Sequence, residues 1–303
     1  MYDIAIIGAG AAGLTAALYA LRANKKVLLI EKGTFGGQIT FSTHGENFPT
    51  QESISGAELA DKLTEQALAQ GADVEVDTVL GIEDNSSHKK ILGESGQYEA
   101  RAVIIATGAK HRTLGIKGED TFIGEGISFC AVCDGAFYKD KDVVVVGGGN
   151  SALQEALLLS ELCSSVTIVQ NLPELTGEKT LAERLYKKDN VKVLCSKTVS
   201  EFLGESELDA VLINDEITGE KEEIKTDGVF VAIGLSPQNE PFKNVLGIDA
   251  YGYADSDESC TTKTVGVFVA GDCRKKQIRQ LTTACADGSV AALAACNFVD
   301  SLK

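Results

Sequence analysis

Gly8-Ala9-Gly10-Ala11-Ala12-Gly13 follows a strand-like stretch, Tyr2–Ile7, apolar from Ile4, and opens an alanine-rich stretch over 11–23; a second apolar run, 27–30, ends at Glu31. Read outward, this is strand, glycine turn, helix, strand and terminal acid, the βαβ fingerprint of a dinucleotide site. Gly8 makes the turn, Gly10 lets backbone approach a pyrophosphate, and Gly13 permits close helix packing. The helix N-terminus from Ala11 offers unpaired N–H groups to phosphate. Glu31 accepts hydrogen bonds from both ribose hydroxyls and repels a 2′-phosphate.

The pattern restarts at Gly147-Gly148-Gly149-Asn150-Ser151-Ala152, between a strand over Asp142–Val146 and a helix over 152–161 that leads to a strand over 166–169. Between the two fingerprints, strands are expected at Asp73–Val76 and 101–105, the latter running into Ala106-Thr107-Gly108. The run 228–233 with Gly234 echoes 103–108, which points to internal duplication. A strand at 267–271 ends at Asp272, and an alanine-rich helix over 280–297 follows. That last helix is surplus to the second nucleotide fold, whose order is already complete. The expected fold is therefore α/β, with two Rossmann-like three-layer nucleotide-binding domains, the second inserted into the first. Residues 1–113 and 244–303 form one domain and 114–243 the other, and the two crossings make a hinge.

The chain has 303 residues, enough for two cores, with 44 acidic against 28 basic residues and a net charge of −16. Such an acidic surface argues against nucleic acid or an anionic membrane as a main partner. The first apolar run starts at once and leads into glycines, a buried strand rather than a secretory h-region. No apolar run reaches the roughly 18 residues of a membrane span. A cytoplasmic protein is expected.

Of the eight cysteines, Cys163, Cys195, Cys260, Cys273, Cys285 and Cys296 are scattered and read as small buried hydrophobes. Cys130-Ala131-Val132-Cys133 differs by its spacing and by its place between two nucleotide fingerprints. Structural zinc needs two more ligands at comparable spacing, and His44, His88 and His111 form no such pattern, so no metal is expected. A pair of inert bystanders is the second alternative. A reversible disulfide fits better: electrons reach it from a flavin, and the dithiol then attacks an external disulfide. Asp134 follows as a proton donor or acceptor for the leaving thiolate, or equally as a helix cap.

Taken together, Gly8–Gly13, Gly36-Gly37-Gln38, Glu46-Asn47-Phe48-Pro49, Ala106-Thr107-Gly108, Cys130–Cys133 with Asp134-Gly135, Gly147–Ala152 with Glu155-Ala156, and Ala270-Gly271-Asp272 with Arg279-Gln280 resemble the low-molecular-weight thioredoxin reductase family of bacteria over essentially the whole chain. The resemblance implies a homodimeric flavoprotein with FAD held by the first and last segments. It makes Glu31 the adenosine ribose ligand and Asp272 a ligand near the ribityl chain, and places Gln38, Asn47 and Gln280 in the flavin pocket. Gly37, Thr107, Gly108, Gly271 and Arg279 are carried into the same site. Cys133 becomes the flavin-side thiol and Cys130 the one that attacks thioredoxin.

One departure from that family concerns the electron donor. Where NADPH-using members carry a run of cations after the second fingerprint's strand, this chain has Gln170-Asn171-Leu172-Pro173-Glu174-Leu175-Thr176. Each missing charge-assisted hydrogen bond to a 2′-phosphate costs roughly 1.5–3 kcal/mol, so NADPH is a poor donor unless Lys179 or Arg184 compensates. An NADH site usually ends this strand in an acid, and here only Glu174 can reach back. Gly147, Gly149, Asn150, Ser151 and Ala152 keep the phosphate cradle intact, with Gln170 at the ribose position. NADH is the expected donor and reduced ferredoxin the alternative. Other readings are a peroxiredoxin or glutaredoxin-like client, and a nucleotide-sensing or scaffold protein without catalysis. Thr50 replaces a family glycine. Cys273 replaces an apolar residue beside Asp272, either as a valine-sized thiol or as a third redox thiol.

Overall fold

The computed structural model describes residues 1–42, 45–85 and 87–302, so His44 lies outside the described residues. The chain divides into two compact units, one of Met1–His44, Phe48–Lys110 and Ser236–Lys303, the other of Gly45–Asn47 and His111–Leu235. Each is built around its own parallel sheet.

In the first unit β1 (Tyr2–Ile7), α1 (Ala11–Arg22) and β2 (Val27–Glu31) form the first βαβ turn; α2 (Gly56–Ala69), β3 (Asp73–Val76), β4 (Val79–Asp84), β5 (Lys89–Gly93) and β6 (Gln97–Ile105) follow. Strands β3, β2, β1 and β6 lie side by side in parallel, and β5 and β4 continue as an antiparallel meander. Along β1 the side chains alternate between two cores: Ile4 and Ile6 face α1, while Ala5 and Ile7 face the opposite layer. Burial on both faces is why residues 4–7 of this strand read as an unbroken apolar run.

The second unit contains β7 (Ala109–His111) at its entry, α3 (Glu119–Phe122), β8 (Ile127–Ser128), α4 (Ala131–Asp134), β9 (Asp142–Val146), α5 (Asn150–Ser160), β10 (Ser165–Val169), α6 (Lys179–Leu185), β11 (Val191–Leu194), β12 (Lys197–Gly204), β13 (Leu208–Asp215), β14 (Lys221–Lys225) and β15 (Gly228–Val231), and leaves through β16 (Leu235–Pro237). Its parallel sheet has the order β11-β10-β9-β15-β8, with β12-β13-β14 as a separate antiparallel sheet.

The chain then returns to the first unit as β17 (Val267–Val269) and α7 (Leu281–Ser301). Strand β17 pairs in parallel with the C-terminal half of β6, Val267 opposite Val103 and Val269 opposite Ile105. Helix α7 lays Ala291, Ala292, Ala295, Cys296 and Val299 into the core shared with α1. A Cβ on Gly288 would stand 2.2 Å from the Ala12 carbonyl oxygen, so only glycine lets the two helices approach this closely.

The division falls after 110 and after 235, rather than near 114 and 244. At the first crossing His111 stacks on Phe129 with centroids 4.9 Å apart, and Leu114 packs into the second unit's core. At the return, Phe242, Val245 and Leu246 are buried in the first unit's core, and the first of these precedes the expected boundary. Apolar side chains, not motif edges, set the limits.

Candidate redox and nucleotide sites

In the first unit the fingerprint glycines meet the protein in different ways. A Cβ on Gly8 would stand 2.4 Å from the Ala106 carbonyl oxygen and one on Gly13 1.9 Å from that of Gly8; both positions are fixed by the chain's own packing. A Cβ on Gly10 would meet nothing nearer than the Gly36 oxygen at 3.8 Å. Glycine there leaves open space at the N-terminus of α1, the kind of end that suits a phosphate. Gly37 borders the same space, its hypothetical Cβ 3.4 Å from the Gly10 Cα, and Gly108 opens onto space with nothing within 4 Å. Glu31 is held by the Ala9 N–H at 2.7 Å and the Gly33 N–H at 2.9 Å, which fixes its carboxylate at the end of β2.

Thr107 and Gly108 lie against Cys273, in the Gly271–Cys273 turn that follows β17. Asp272 is half-buried, with its Oδ1 buried and unpartnered; burial raises its pKa, and Lys276 and Arg279 only partly offset this. A buried carboxylate oxygen left without a partner is costly, so Asp272 suits a ligand hydroxyl. Arg279 stacks 4.2 Å over the Tyr253 ring and also keeps a buried, unpartnered Nε. The structure thus brings Gly8, Gly10, Ala11, Gly13, Glu31, Gly37, Thr107, Gly108, Gly271 and Asp272 to the C-terminal edge of one parallel sheet. These residues fit FAD.

Three more expected pocket residues have placements of their own. Gln38 donates its side-chain N–H to the Ala109 carbonyl. Gln280 is the N-cap of α7 in a capping box with Thr283. Asn47 groups with the second unit. Cys273 is fully buried, with its thiol directed at the Ala270 and Ile105 carbonyls, and burial pushes it up to about 11. That disfavours the thiolate a third redox centre needs.

Sequence reading missed the support beneath Asp272. Arg274, 2% exposed, donates two hydrogen bonds of 2.8 Å to Asp287, which also takes the Lys276 ammonium at 2.9 Å and the Gly271 N–H at 3.0 Å. Nothing in the spacing of these residues announces the network.

In the second unit Cys130 and Cys133 form a disulfide with Cα atoms 5.3 Å apart. Cys130 caps α4, its sulfur accepting the Cys133 N–H at 3.2 Å. The Ser128 hydroxyl accepts the Cys130 N–H at 3.1 Å and donates to Asp134 Oδ2 at 2.6 Å. Asp134 makes no side-chain cap to the following 3-10 turn, so the capping alternative falls away. Burial raises its pKa, against a smaller lowering by Ser128. Beneath α4, Glu155 on α5 is pushed up to about 7 by burial and by Asp134, while the Ala131 N–H pulls the other way. Among the described residues no cluster of three or more His, Cys, Asp or Glu is arranged to hold a metal.

The second glycine loop repeats the first. A Cβ on Gly147 would meet the Ala232 carbonyl oxygen at 2.6 Å, whereas one on Gly149 finds nothing nearer than Thr176 Oγ1 at 4.0 Å. Ala152 is fully buried under the loop. Asn150 Oδ1 accepts the Glu178 N–H at 2.7 Å, so its carboxamide is used by the chain; Ser151 is exposed on the first turn of α5. Gln170 is buried beside Gly148 and donates to the Glu174 backbone oxygen at 3.4 Å. Glu174's carboxylate lies by Cys195, where it adds to the effect of burial in raising that thiol. Arg184 acts on Glu161, at the far end of α5 from the loop, which removes it as a phosphate partner.

Comparison with known proteins agrees with this reading over the whole chain. The profile of the pyridine nucleotide-disulphide oxidoreductase family matches residues 2–288. Thioredoxin reductase of Bacillus subtilis (strain 168) is 43% identical over 304 residues, covering 100% of this chain and 96% of the relative. A 34.2 kDa protein in the rubredoxin operon of Clostridium pasteurianum is 44% identical over 298 residues, covering 98% and 97%. The crystal structure of thioredoxin reductase from Streptococcus pyogenes MGAS5005 superposes with a TM-score of 0.95 at 40% identity, covering 99% of each chain. Matched over nearly its whole length by the family profile and by relatives 43% and 44% identical, the chain belongs to the pyridine nucleotide-disulphide oxidoreductase family.

Proposed function

We propose that this protein is an FAD-dependent thioredoxin-disulfide reductase that takes its electrons from NADH. The observation that carries the reading is the Cys130–Cys133 disulfide, beside Asp134 in a chain whose other unit offers an intact dinucleotide cradle. FAD, when bound, supplies the electron pair that opens the disulfide.

The chain's own residues divide the work. The backbone at Gly8–Gly13 takes the pyrophosphate, Glu31 the adenosine ribose, and Asp272 a hydroxyl of the ribityl chain. Thr107, Gly108, Gly271 and Arg279 line the same space, with Gly37 and Gln38 at its border. Opening the disulfide consumes two electrons and one proton and leaves one thiolate and one thiol. Asp134, whose pKa is raised by burial, gives a proton to the leaving sulfur and regains it later. Cys133 is the sulfur that receives the electrons; Cys130 attacks the client's disulfide and forms the mixed disulfide that Cys133 resolves.

NADH is favoured because Gly149 keeps room for phosphates while 170–178 holds no cation for a 2′-phosphate. A homodimer working in the cytoplasm on a thioredoxin completes the proposal. No helix among the described residues is long and apolar enough to cross a membrane. The test is NADH oxidation coupled to thioredoxin reduction. Turnover that requires reduced ferredoxin overturns the donor assignment, and turnover only with a peroxiredoxin or glutaredoxin-like partner overturns the client.

A further inference from the structure

Asn239 belongs to none of the motifs, yet it is 1% exposed and lies in the unit that carries the first glycine cradle. It precedes the 3-10 turn Glu240–Phe242, a place where an asparagine ordinarily turns its side chain onto the neighbouring backbone. Here it makes no such cap. Its carboxamide nitrogen donates to distant segments instead, to the Cys273 carbonyl at 2.7 Å and the Gly252 carbonyl at 2.9 Å.

Each carbonyl stands next to a residue of the flavin site. Cys273 follows Asp272, and Gly252 precedes Tyr253, whose ring carries the Arg279 guanidinium at 4.2 Å. The two segments also meet directly: the Ala254 N–H donates to the Cys273 carbonyl at 3.0 Å, and the Lys275 N–H to that of Ala254 at 2.9 Å. From the residue before Asn239, the Gln238 N–H reaches the Gly108 carbonyl at 3.2 Å. Residues 238 and 239 therefore bond to three segments that the flavin site draws on, at 108, 252 and 273. The other end of the Gly271–Cys273 turn is held by Asp287, which takes the Gly271 N–H at 3.0 Å. Asp272 Oδ1 and Arg279 Nε, each buried without a partner, are carried on backbone and ring fixed in this way.

The carboxamide is present for its donors. Its Oδ1 is buried without a partner, a cost that an apolar side chain of similar volume avoids. Packing alone is served better by leucine. Access to both carbonyls also depends on Gly252, which has a φ of +89° and whose hypothetical Cβ would stand 3.2 Å from Pro237 Cγ. Glycine there lets the two segments come within reach of one nitrogen.

We propose that Asn239 is a positioning residue of the flavin site. By bridging the Gly252 and Cys273 carbonyls it sets the placement of Asp272 relative to the Tyr253–Arg279 pair, and through them the affinity for FAD and the surroundings of the bound flavin.

This role rests on FAD binding in the first unit, so the measurement reads both. Full-length protein freed of flavin is titrated with FAD, followed by quenching of the flavin fluorescence, and the visible circular dichroism of the bound flavin is recorded at saturation. Urea unfolding of the flavin-free protein reports stability separately. Asn239→Leu keeps the volume and removes both donors. It is expected to weaken FAD binding about tenfold or more and to change the dichroism. A lowered urea midpoint with affinity and dichroism as in the wild type assigns Asn239 to the core alone and overturns the proposal. Failure of the wild type itself to bind FAD overturns the cofactor assignment, and this role with it.

Asn239→Ser provides a second arm should Asn239→Leu fail to fold. One hydroxyl then serves two carbonyls, and FAD binding is expected to weaken about threefold or more. Wild-type affinity and dichroism in Asn239→Ser also overturn the proposal.

Discussion

The carbonyl oxygen of Gly8 lies 1.9 Å from where a Cβ on Gly13 would stand. The turn and the helix it opens are therefore locked together by the absence of a side chain. Gly13→Ala forces backbone apart in a close-packed core, at a cost of about 1–3 kcal/mol or more, and is expected to lower the melting temperature with or without flavin. Gly10→Ala meets no protein atom nearer than 3.8 Å. It should fold near wild-type stability yet bind flavin weakly, read as the flavin-to-protein absorbance ratio. Full flavin content in Gly10→Ala would show that phosphates do not dock there.

Donor choice follows from the missing cations at 170–178. A site without two charge-assisted hydrogen bonds, each worth roughly 1.5 kcal/mol or more, binds NADPH about a hundredfold or more weakly than a site that provides them. Anaerobic stopped-flow reduction of the flavin is expected to saturate with NADH at concentrations where NADPH gives slow, unsaturated reduction. Tight saturation by NADPH would place an unrecognised cation at the site, Lys179 first.

Arg274 and Asp287 form a buried pair whose disruption leaves a charge stranded. Asp287→Ala is expected to cost about 3–5 kcal/mol, measured by denaturant unfolding, and to loosen the Gly271–Cys273 turn. Burial raises the Asp287 pKa, but the hydrogen bonds and charges of Arg274 and Lys276 win and hold it below its ordinary value. A depressed carboxylate stabilises the fold above the unfolded pKa of about 3.9 and loses that contribution as pH falls through the folded value. Acid unfolding of the wild type should therefore steepen below about pH 4, and a salt-insensitive, pH-flat profile there would contradict the assignment.

Much of this was legible from residue order because local chemistry dictates it. Strand β1, helix α1, strand β2 and Glu31 stand where the glycines and the apolar run put them, and the Cys130–Cys133 spacing closes a disulfide as read. What stayed hidden depends on contacts between distant segments. Nothing in its motif announces that Gln280 caps α7, and Phe242 looks like linker but fills a core. Glu155 is one acid on an amphipathic helix until α4 is laid across it, and Asp287 is one acid in an alanine-rich run until Arg274 finds it. Periodicity reports which face is buried, not which partner arrives there.

The central claim is that bound flavin and the Cys130–Cys133 pair exchange electrons. Anaerobic titration of the flavin-loaded protein with NADH or dithionite tests it most directly, comparing wild type with Cys133→Ser. The wild type should take up two electron pairs per chain, one for the flavin and one for the disulfide, and Cys133→Ser only the flavin's pair while still binding FAD. Equal uptake by the two proteins would contradict the account.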